Sequence, residues 1–178
     1  MAKNKISDIR ALANLTNLNY LYLDDNDISD IKSLVNLTNL ITLDLQNNRI
    51  SDINSLFGLI NLNHLDIGEN QISNITPLTD LTKLETLDIA DNKISNIESL
   101  SKLHNLRYLN LAINQIVDIK PLSNLYNIDF LILWKNNISD IKPLSSLKKL
   151  DVLYLEKNPI KDKTCPMKPK KPNSVCKL

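Results

Sequence analysis

An asparagine recurs at every twenty-second residue of this chain, without insertion or deletion. An isoleucine follows each of these asparagines two residues later, and leucines keep the same spacing elsewhere in the unit. The eight asparagines are Asn4, Asn26, Asn48, Asn70, Asn92, Asn114, Asn136 and Asn158. A fixed internal period of this length is typical of a repeat protein, in which each unit stacks on its neighbour.

The apolar positions of one unit predict a short strand followed by a turn. In the first complete unit, Leu18, Leu21 and Leu23 give the pattern Leu-x-x-Leu-x-Leu, whose alternate residues point to one side of a strand. One unit cannot bury this aliphatic row alone, so we expect the units to stack and their strands to pair in a parallel sheet. The connections between such strands are expected to be right-handed.

Three prolines indicate what lies on the opposite side of the repeat. Pro77, Pro121 and Pro143 occupy the same position of their units, away from the strand, where proline removes no hydrogen bond from the sheet. A unit of this length leaves room there for a short 3-10 turn or extended chain, and not for a full α-helix. The sequence therefore predicts an α/β, right-handed solenoid with a parallel β-sheet on its concave face and 3-10 or extended segments on its convex face.

The repeated asparagine is predicted to be structural. We expect its side chain to be buried where the chain leaves the strand, with its amide bonded to backbone groups of its own turn and of the adjacent turn. Aspartate would lose the donors, and leucine would leave backbone groups unpaired at about 1–3 kcal/mol each. The prediction concerns Asn26, Asn48, Asn70, Asn92, Asn114, Asn136 and Asn158.

The unit, which reads LTNLxxLDLxxNxISDIxPLxxL, resembles the 22-residue leucine-rich repeat of the internalin-like class in bacteria. The resemblance covers the chain from Asn4 to about Ile160. It implies a specific fold but only a general function, because the common property of the family is the binding of other macromolecules on the concave sheet. It also implies a secreted or cell-surface location, which no segment of this sequence indicates by itself.

Two regions are predicted along the chain. Residues 1–160 form a leucine-rich-repeat solenoid of about seven units, and residues 161–178 form a capping tail. The template ends after Ile160 because Lys163 and Pro166 stand where isoleucine and leucine are expected. No capping segment precedes the first unit, so we expect either that upstream residues are missing or that another chain covers that edge.

The predicted tail holds the only two cysteines of the chain, Cys165 and Cys176. A disulfide between them would close a short loop and stabilise the cap by about 2–3 kcal/mol. The alternative is a pair of reduced thiols packed as small apolar groups, and the sequence leaves both possibilities open.

The outward positions of the predicted strands hold most of the aromatic residues. Only Phe57 and Tyr126 lie elsewhere, and in the last unit Val152 and Tyr154 are both expected to face solvent. Strands about 4.8 Å apart bring several of these residues together. We name them the aromatic patch: Tyr108, Phe130, Ile132, Trp134 and Tyr154, with Ile113 at the rim. Exposed apolar clusters usually mark interaction sites, although aromatic residues also favour strands for their own sake.

Towards the N-terminus the same face becomes acidic. Asp44, Asp66 and Asp88 occupy one outward position on three adjacent predicted strands, and we term them the acidic row. A partner with an apolar anchor beside a basic stretch would match both the patch and the row. The alternative is that each aspartate belongs to the framework, since the resembling repeat often has aspartate there.

Several function classes are excluded by what the sequence lacks. A basic tail on a mildly acidic body gives no nucleic-acid footprint, and no run approaches the roughly 20 apolar residues of a membrane span. Two cysteines and two distant histidines make a poor metal set, and no cofactor motif is present. His64 lies beside the acidic row but has no accompanying nucleophile, oxyanion site or phosphate loop, so we expect no enzymatic activity.

Two hypotheses remain. The first is a non-enzymatic module that binds a partner protein on the concave face through the aromatic patch, with the acidic row orienting the partner. A glycan partner is a variant of it, because tryptophan and tyrosine also stack on sugars. The second is a structural scaffold with no concave ligand, which self-associates through its uncapped end. The first predicts a monomer unless the N-terminal edge pairs.

Overall fold

The strands of this protein line up in chain order within one open parallel sheet, which confirms the predicted fold class. The computed structural model describes residues 3–162, 164–166 and 174–178. The described strands are β1 (Tyr20–Tyr22), β2 (Thr42–Asp44), β3 (His64–Asp66), β4 (Thr86–Asp88), β5 (Tyr108–Asn110), β6 (Phe130–Ile132), β7 (Val152–Tyr154) and β8 (Val175–Lys177). Each strand is three residues long. The rest of each 22-residue unit forms the turns and the convex segment that lead to the next strand.

The side opposite the sheet is built from short 3-10 helices. They span Arg10–Leu12, Lys32–Leu34, Asn54–Leu56, Thr76–Leu78, Glu98–Lys102, Lys120–Asn124 and Lys142–Ser146. Each begins two residues after an aspartate or asparagine whose Oδ1 accepts the first backbone amide of the helix, as Asp30 does from Lys32 at 2.9 Å. Within the described ranges, no helix is long or apolar enough to cross a lipid bilayer.

The core lies between the sheet and the 3-10 helices and consists of leucine and isoleucine. The strands pair in register, so that Leu43, Leu65 and Leu87 lie side by side and are completely buried. Each unit contributes the same set of side chains, and the core is therefore one continuous stack. Removal of one such leucine side chain is expected to cost about 2–5 kcal/mol.

The repeated asparagines join each unit to the one before it. The Oδ1 of Asn70 accepts the amide of Ile50 at 2.9 Å, and its Nδ2 donates to carbonyls of its own turn and, at 3.0 Å, to that of Leu45 in the preceding unit. All seven asparagines from Asn26 to Asn158 accept the amide of the residue twenty positions earlier. A side chain with both donors and an acceptor is needed for this ladder.

The C-terminal tail adds a strand that the sequence pattern does not predict. Strand β8 pairs parallel to β7, and Cys176 lies opposite Leu153, in line with the buried leucines. A disulfide joins Cys176 to Cys165. The expectation that Val152 faces solvent is wrong: the side chain is buried, because Phe130 on one side and Val175 on the other flank it in the sheet. Residues 163 and 167–173 of the predicted cap lie outside the described residues.

Candidate functional site

The aromatic patch lies on β5, β6 and β7 and on the residues that follow them. The strand register places Tyr108 opposite Phe130 and Ile132 opposite Tyr154. The rings of Tyr108 and Phe130 are stacked, with centroids 6.3 Å apart. Phe130 is 43% exposed, and the other members are half-buried. The five side chains predicted from the sequence therefore lie side by side on the open face of the sheet.

Lysines border the aromatic patch at its C-terminal end. The Nζ atoms of Lys157 and Lys135 lie 4.9 and 5.9 Å from the ring centroid of Trp134, and Lys177 Nζ lies 5.1 Å from that of Tyr154. Cations within about 6 Å of an aromatic face are attracted by its quadrupole. The sequence pattern assigns no role to Lys135 and Lys157, and the structure shows that they form this positive border.

Ile113 lies beside the patch in an unfavourable backbone conformation. Its φ is +54°, in the left-handed region that β-branched residues rarely adopt. The amide of Ile113 donates to the carbonyl of Trp134 at 2.8 Å, which fixes it next to the patch. The side chain is half-buried and does not belong to the hydrophobic core.

The acidic row consists of the last residues of β2, β3 and β4. The strand register places Asp44 opposite Asp66 and Asp66 opposite Asp88. The Oδ1 of each accepts, at 3.0 Å, the backbone amide two residues further on. Asn110 makes the same bond in the next unit, at 3.1 Å. Each aspartate of the row thus stabilises its own turn, which is the framework role that the sequence left open.

The acidic row is less charged at neutral pH than its composition indicates. The pKa of Asp66 is raised to about 7, mainly by burial; the amide of Gly68 opposes the shift, and the charges of Asp88 and Asp44 add to it. Burial is also the main cause of the raised pKa of Asp44 and of Asp88. A row of half-buried carboxylates on neighbouring strands cannot ionise fully without mutual repulsion.

The patch and the row form one continuous surface. Nδ2 of Asn110 donates to Oδ2 of Asp88 at 2.8 Å, across the boundary between β4 and β5. Burial raises the pKa of the Tyr108 hydroxyl, and the nearby charges of Asp88 and Asp66 add to that shift. Tyr108 therefore lies next to Asp88, at the end of the acidic row.

The titratable side chains of the concave surface lie on an open sheet face. In the described part of the chain, no three His, Cys, Asp or Glu side chains are placed to hold a metal ion. His64 lies on β3 beside Asp66, on an open sheet face. The missed lysines were visible in the sequence as the residues immediately before two of the repeated asparagines, at the same spacing as Ile113.

Comparisons with known proteins agree on the fold. A family model described as leucine-rich repeat region matches residues 2–156. Among solved structures, an internalin (InlF) from Listeria monocytogenes has 39% identity and a TM-score of 0.87, over 90% of this chain and 48% of that one. Internalin C2 from the same species has 36% identity and a TM-score of 0.85, over 92% of this chain and 72% of that one.

A leucine-rich repeat protein of Leptospira interrogans is more distant, with 25% identity and a TM-score of 0.79 over 90% of this chain and 49% of that one. This chain therefore spans about half the length of InlF and of the Leptospira protein. A search of the curated proteins gives no significant match.

Proposed function

The chain belongs to the leucine-rich repeat family, and on that premise we propose that it is a non-enzymatic module that binds a partner protein on its concave face. Repeats of this kind are typically protein-interaction modules. The aromatic patch anchors the partner, and the acidic row orients it. The observation that carries the proposal is the adjacency of Tyr108, Phe130, Ile132, Trp134 and Tyr154 on one accessible sheet face.

Strand preference alone does not account for this grouping. The same outward positions on β2, β3 and β4 hold threonine, histidine and aspartate, although those strands have the same length, register and buried leucines. Large aromatic side chains exposed on one side of an otherwise uniform sheet contribute nothing to the leucine core. Tryptophan and tyrosine are the residues most enriched among those that dominate protein–protein binding energy.

The framework role of the acidic row is compatible with an orienting role. In each aspartate Oδ1 bonds to the turn, while the carboxylates remain on the concave face. A basic group on a partner would favour the ionised form of Asp66 and so would bind more tightly as pH rises through about 7. Electrostatic complementarity of this kind sets orientation and association rate more than affinity.

The test is a paired capture experiment from a lysate and from a secreted fraction. It compares the chain with a triple variant, Phe130→Ala, Trp134→Ala and Tyr154→Ala. A matched control carries Phe57→Ala and Tyr126→Ala, which removes two exposed aromatic rings away from the sheet. We expect a protein that the chain and the control retain and the triple variant loses. Equal capture by all three, after circular dichroism shows that they fold alike, would refute the proposed site.

A scaffold function is the second candidate, and exposed large hydrophobic side chains on β1 and just before it favour it. Leu15 is 47% exposed and Tyr20 is 59% exposed. Self-association through this end would increase with concentration and persist in the triple variant. Analytical ultracentrifugation of the chain and of the triple variant separates the two functions. A glycan partner, the variant of the first function, is tested by binding to a glycan array.

A further inference from the structure

One residue of each unit forms a ridge along the edge of the concave face. This residue immediately precedes the repeated asparagine, and all eight examples have a positive φ between 49° and 59°. In chain order they are Lys3, Asp25, Asn47, Glu69, Asp91, Ile113, Lys135 and Lys157. Because the units stack strand against strand, neighbouring members of the ridge are about 5 Å apart.

The charge along this ridge changes sign at Ile113. Glu69 and Asp91 precede it, Lys135 and Lys157 follow it, and all four are exposed. The ion pairs found among the described residues involve none of the four. Three lysines lie around the rings of Trp134 and Tyr154. The ridge around Ile113 therefore has an acidic side, an apolar centre and a basic side.

Ile113, the apolar centre, has a backbone conformation that isoleucine disfavours. Ile113 is the only β-branched residue among the eight, and this conformation is strained for such a side chain. Asparagine, which Asn47 supplies at the same position, tolerates the left-handed region far better. Since Ile113 adds nothing to the core, stability does not explain its presence.

We propose that the ridge recognises a protein segment with a fixed order of chemistry. The segment carries an apolar side chain opposite Ile113, a basic group towards Glu69 and Asp91, and an acidic group towards Lys135 and Lys157. Both charged groups lie on the order of 5–10 Å from the apolar one, a distance that one to three residues of extended chain span. The proposal rests on the proposed concave-face function and specifies the partner's charge order.

Two synthetic peptides of identical composition provide the probe. The first has two lysines, a central leucine–phenylalanine pair and two glutamates. The second has one lysine and one glutamate on each side of the same pair. Trp134 is the only tryptophan of the chain, so its fluorescence reports binding of either peptide. We expect the first peptide to bind about five-fold more tightly, because two to four surface ion pairs each add a few tenths of a kcal/mol.

Charge reversals on the protein separate charge order from net charge. The pair Lys135→Glu and Lys157→Glu makes both sides of Ile113 acidic, and the pair Glu69→Lys and Asp91→Lys makes both sides basic. Either pair should abolish the preference for the first peptide. All four changes together should restore it, because the peptide can bind end for end. The control pair, Lys120→Glu and Lys142→Glu, changes the net charge equally on the opposite face and should leave the preference intact.

The outcomes are distinct. Equal affinity for the two peptides, no binding of either at millimolar concentration, or no recovery in the four-fold variant would overturn the charge-order proposal. The concave-face function itself would survive if the aromatic triple variant still lost its captured protein.

Ile113→Asn tests the apolar centre. We expect a higher melting temperature together with a several-fold weaker affinity for both peptides, whereas a structural role for Ile113 would lower the melting temperature.

Discussion

The two halves of the concave face have the same framework but different surfaces. Strands β2 to β4 and strands β5 to β7 share their length, register, buried leucines and asparagine bonds. The outward strand residues are threonine, histidine and aspartate in the first half, and mostly aromatic or aliphatic in the second. Because the framework residues are satisfied within and between units, the outward positions are free to differ, and the proposed function depends on that difference.

The two halves also differ in their ionisable groups. Asp66 and Asp88 in the first half, and Asn110 in the second, each bond to the backbone amide two residues further on. Only the carboxylates incur the cost of charge on a half-buried surface, and burial raises the pKa of both. The acidic half is thus predicted to be the pH-sensitive half of the molecule.

Replacement of a repeated asparagine should give the largest loss of stability. The loss should be of similar size in both halves. Asn70→Ala in the acidic half and Asn136→Ala in the aromatic half each remove bonds to buried backbone groups. We expect a loss of about 2–4 kcal/mol in the free energy of unfolding for each. Urea denaturation measures it, with Asn96→Ala as a comparison, which removes only one exposed bond, to the amide of Glu98, and should cost less. A much smaller loss in one half would show that the framework is not uniform.

Replacement of a single aromatic residue should distinguish the halves in binding. Trp134→Ala is expected to weaken affinity for a captured partner by at least about ten-fold, since central aromatic residues commonly contribute 2 kcal/mol or more. Tyr20→Ala, on β1 at the other end of the sheet, should change affinity less than about two-fold. Surface plasmon resonance with both variants gives the ratio. Similar losses for the two would mean that binding is spread over the whole face.

The acidic half should lose stability as pH rises, and Asp66→Asn should prevent part of that loss. The pKa of Asp66 is about 7 in the folded state, against 3.8 for a free aspartate. The contribution of Asp66 to the stability of the folded state is therefore fully present below about pH 4 and is lost as pH rises through 7. Between pH 4 and pH 8, the free energy of unfolding of Asp66→Asn should rise by about 1–2 kcal/mol relative to that of the parent chain, after allowance for solvent screening. Urea midpoints across this range measure the gain.

The reciprocal change provides the control in the other half. Asn110→Asp places a fourth carboxylate next to Asp88 and removes the bond that Asn110 donates to it. Its stability should fall relative to the parent at pH 8 and approach the parent value at pH 4. A pH-independent difference for either variant would contradict the ionisation described for the row.

The framework was predictable from the sequence because each structural requirement repeats eight times. One leucine or asparagine says little, but the same residue at a constant interval identifies the sheet, the turn and the bonds between units. The aromatic patch followed from the same arithmetic, since the outward positions lie between the repeated leucines.

Features that occur once were harder to predict. Strand β8 departs from the template, and the burial of Val152 depends on it. The pKa of Asp66 depends on desolvation, which residue spacing does not reveal. The positions of Lys135 and Lys157 were visible in the sequence, but their contacts with Trp134 depend on where the residue before each repeated asparagine directs its side chain.

Hydroxyl-radical footprinting of the chain, alone and with a captured partner, tests the central claim most directly. It measures the solvent accessibility of Phe130, Trp134 and Tyr154 on the concave face, and of Phe57 and Tyr126 elsewhere, in one sample. The account predicts that the partner reduces oxidation of the first three and leaves Phe57 and Tyr126 unchanged. Protection of Phe57 and Tyr126 with Trp134 still fully reactive would contradict it.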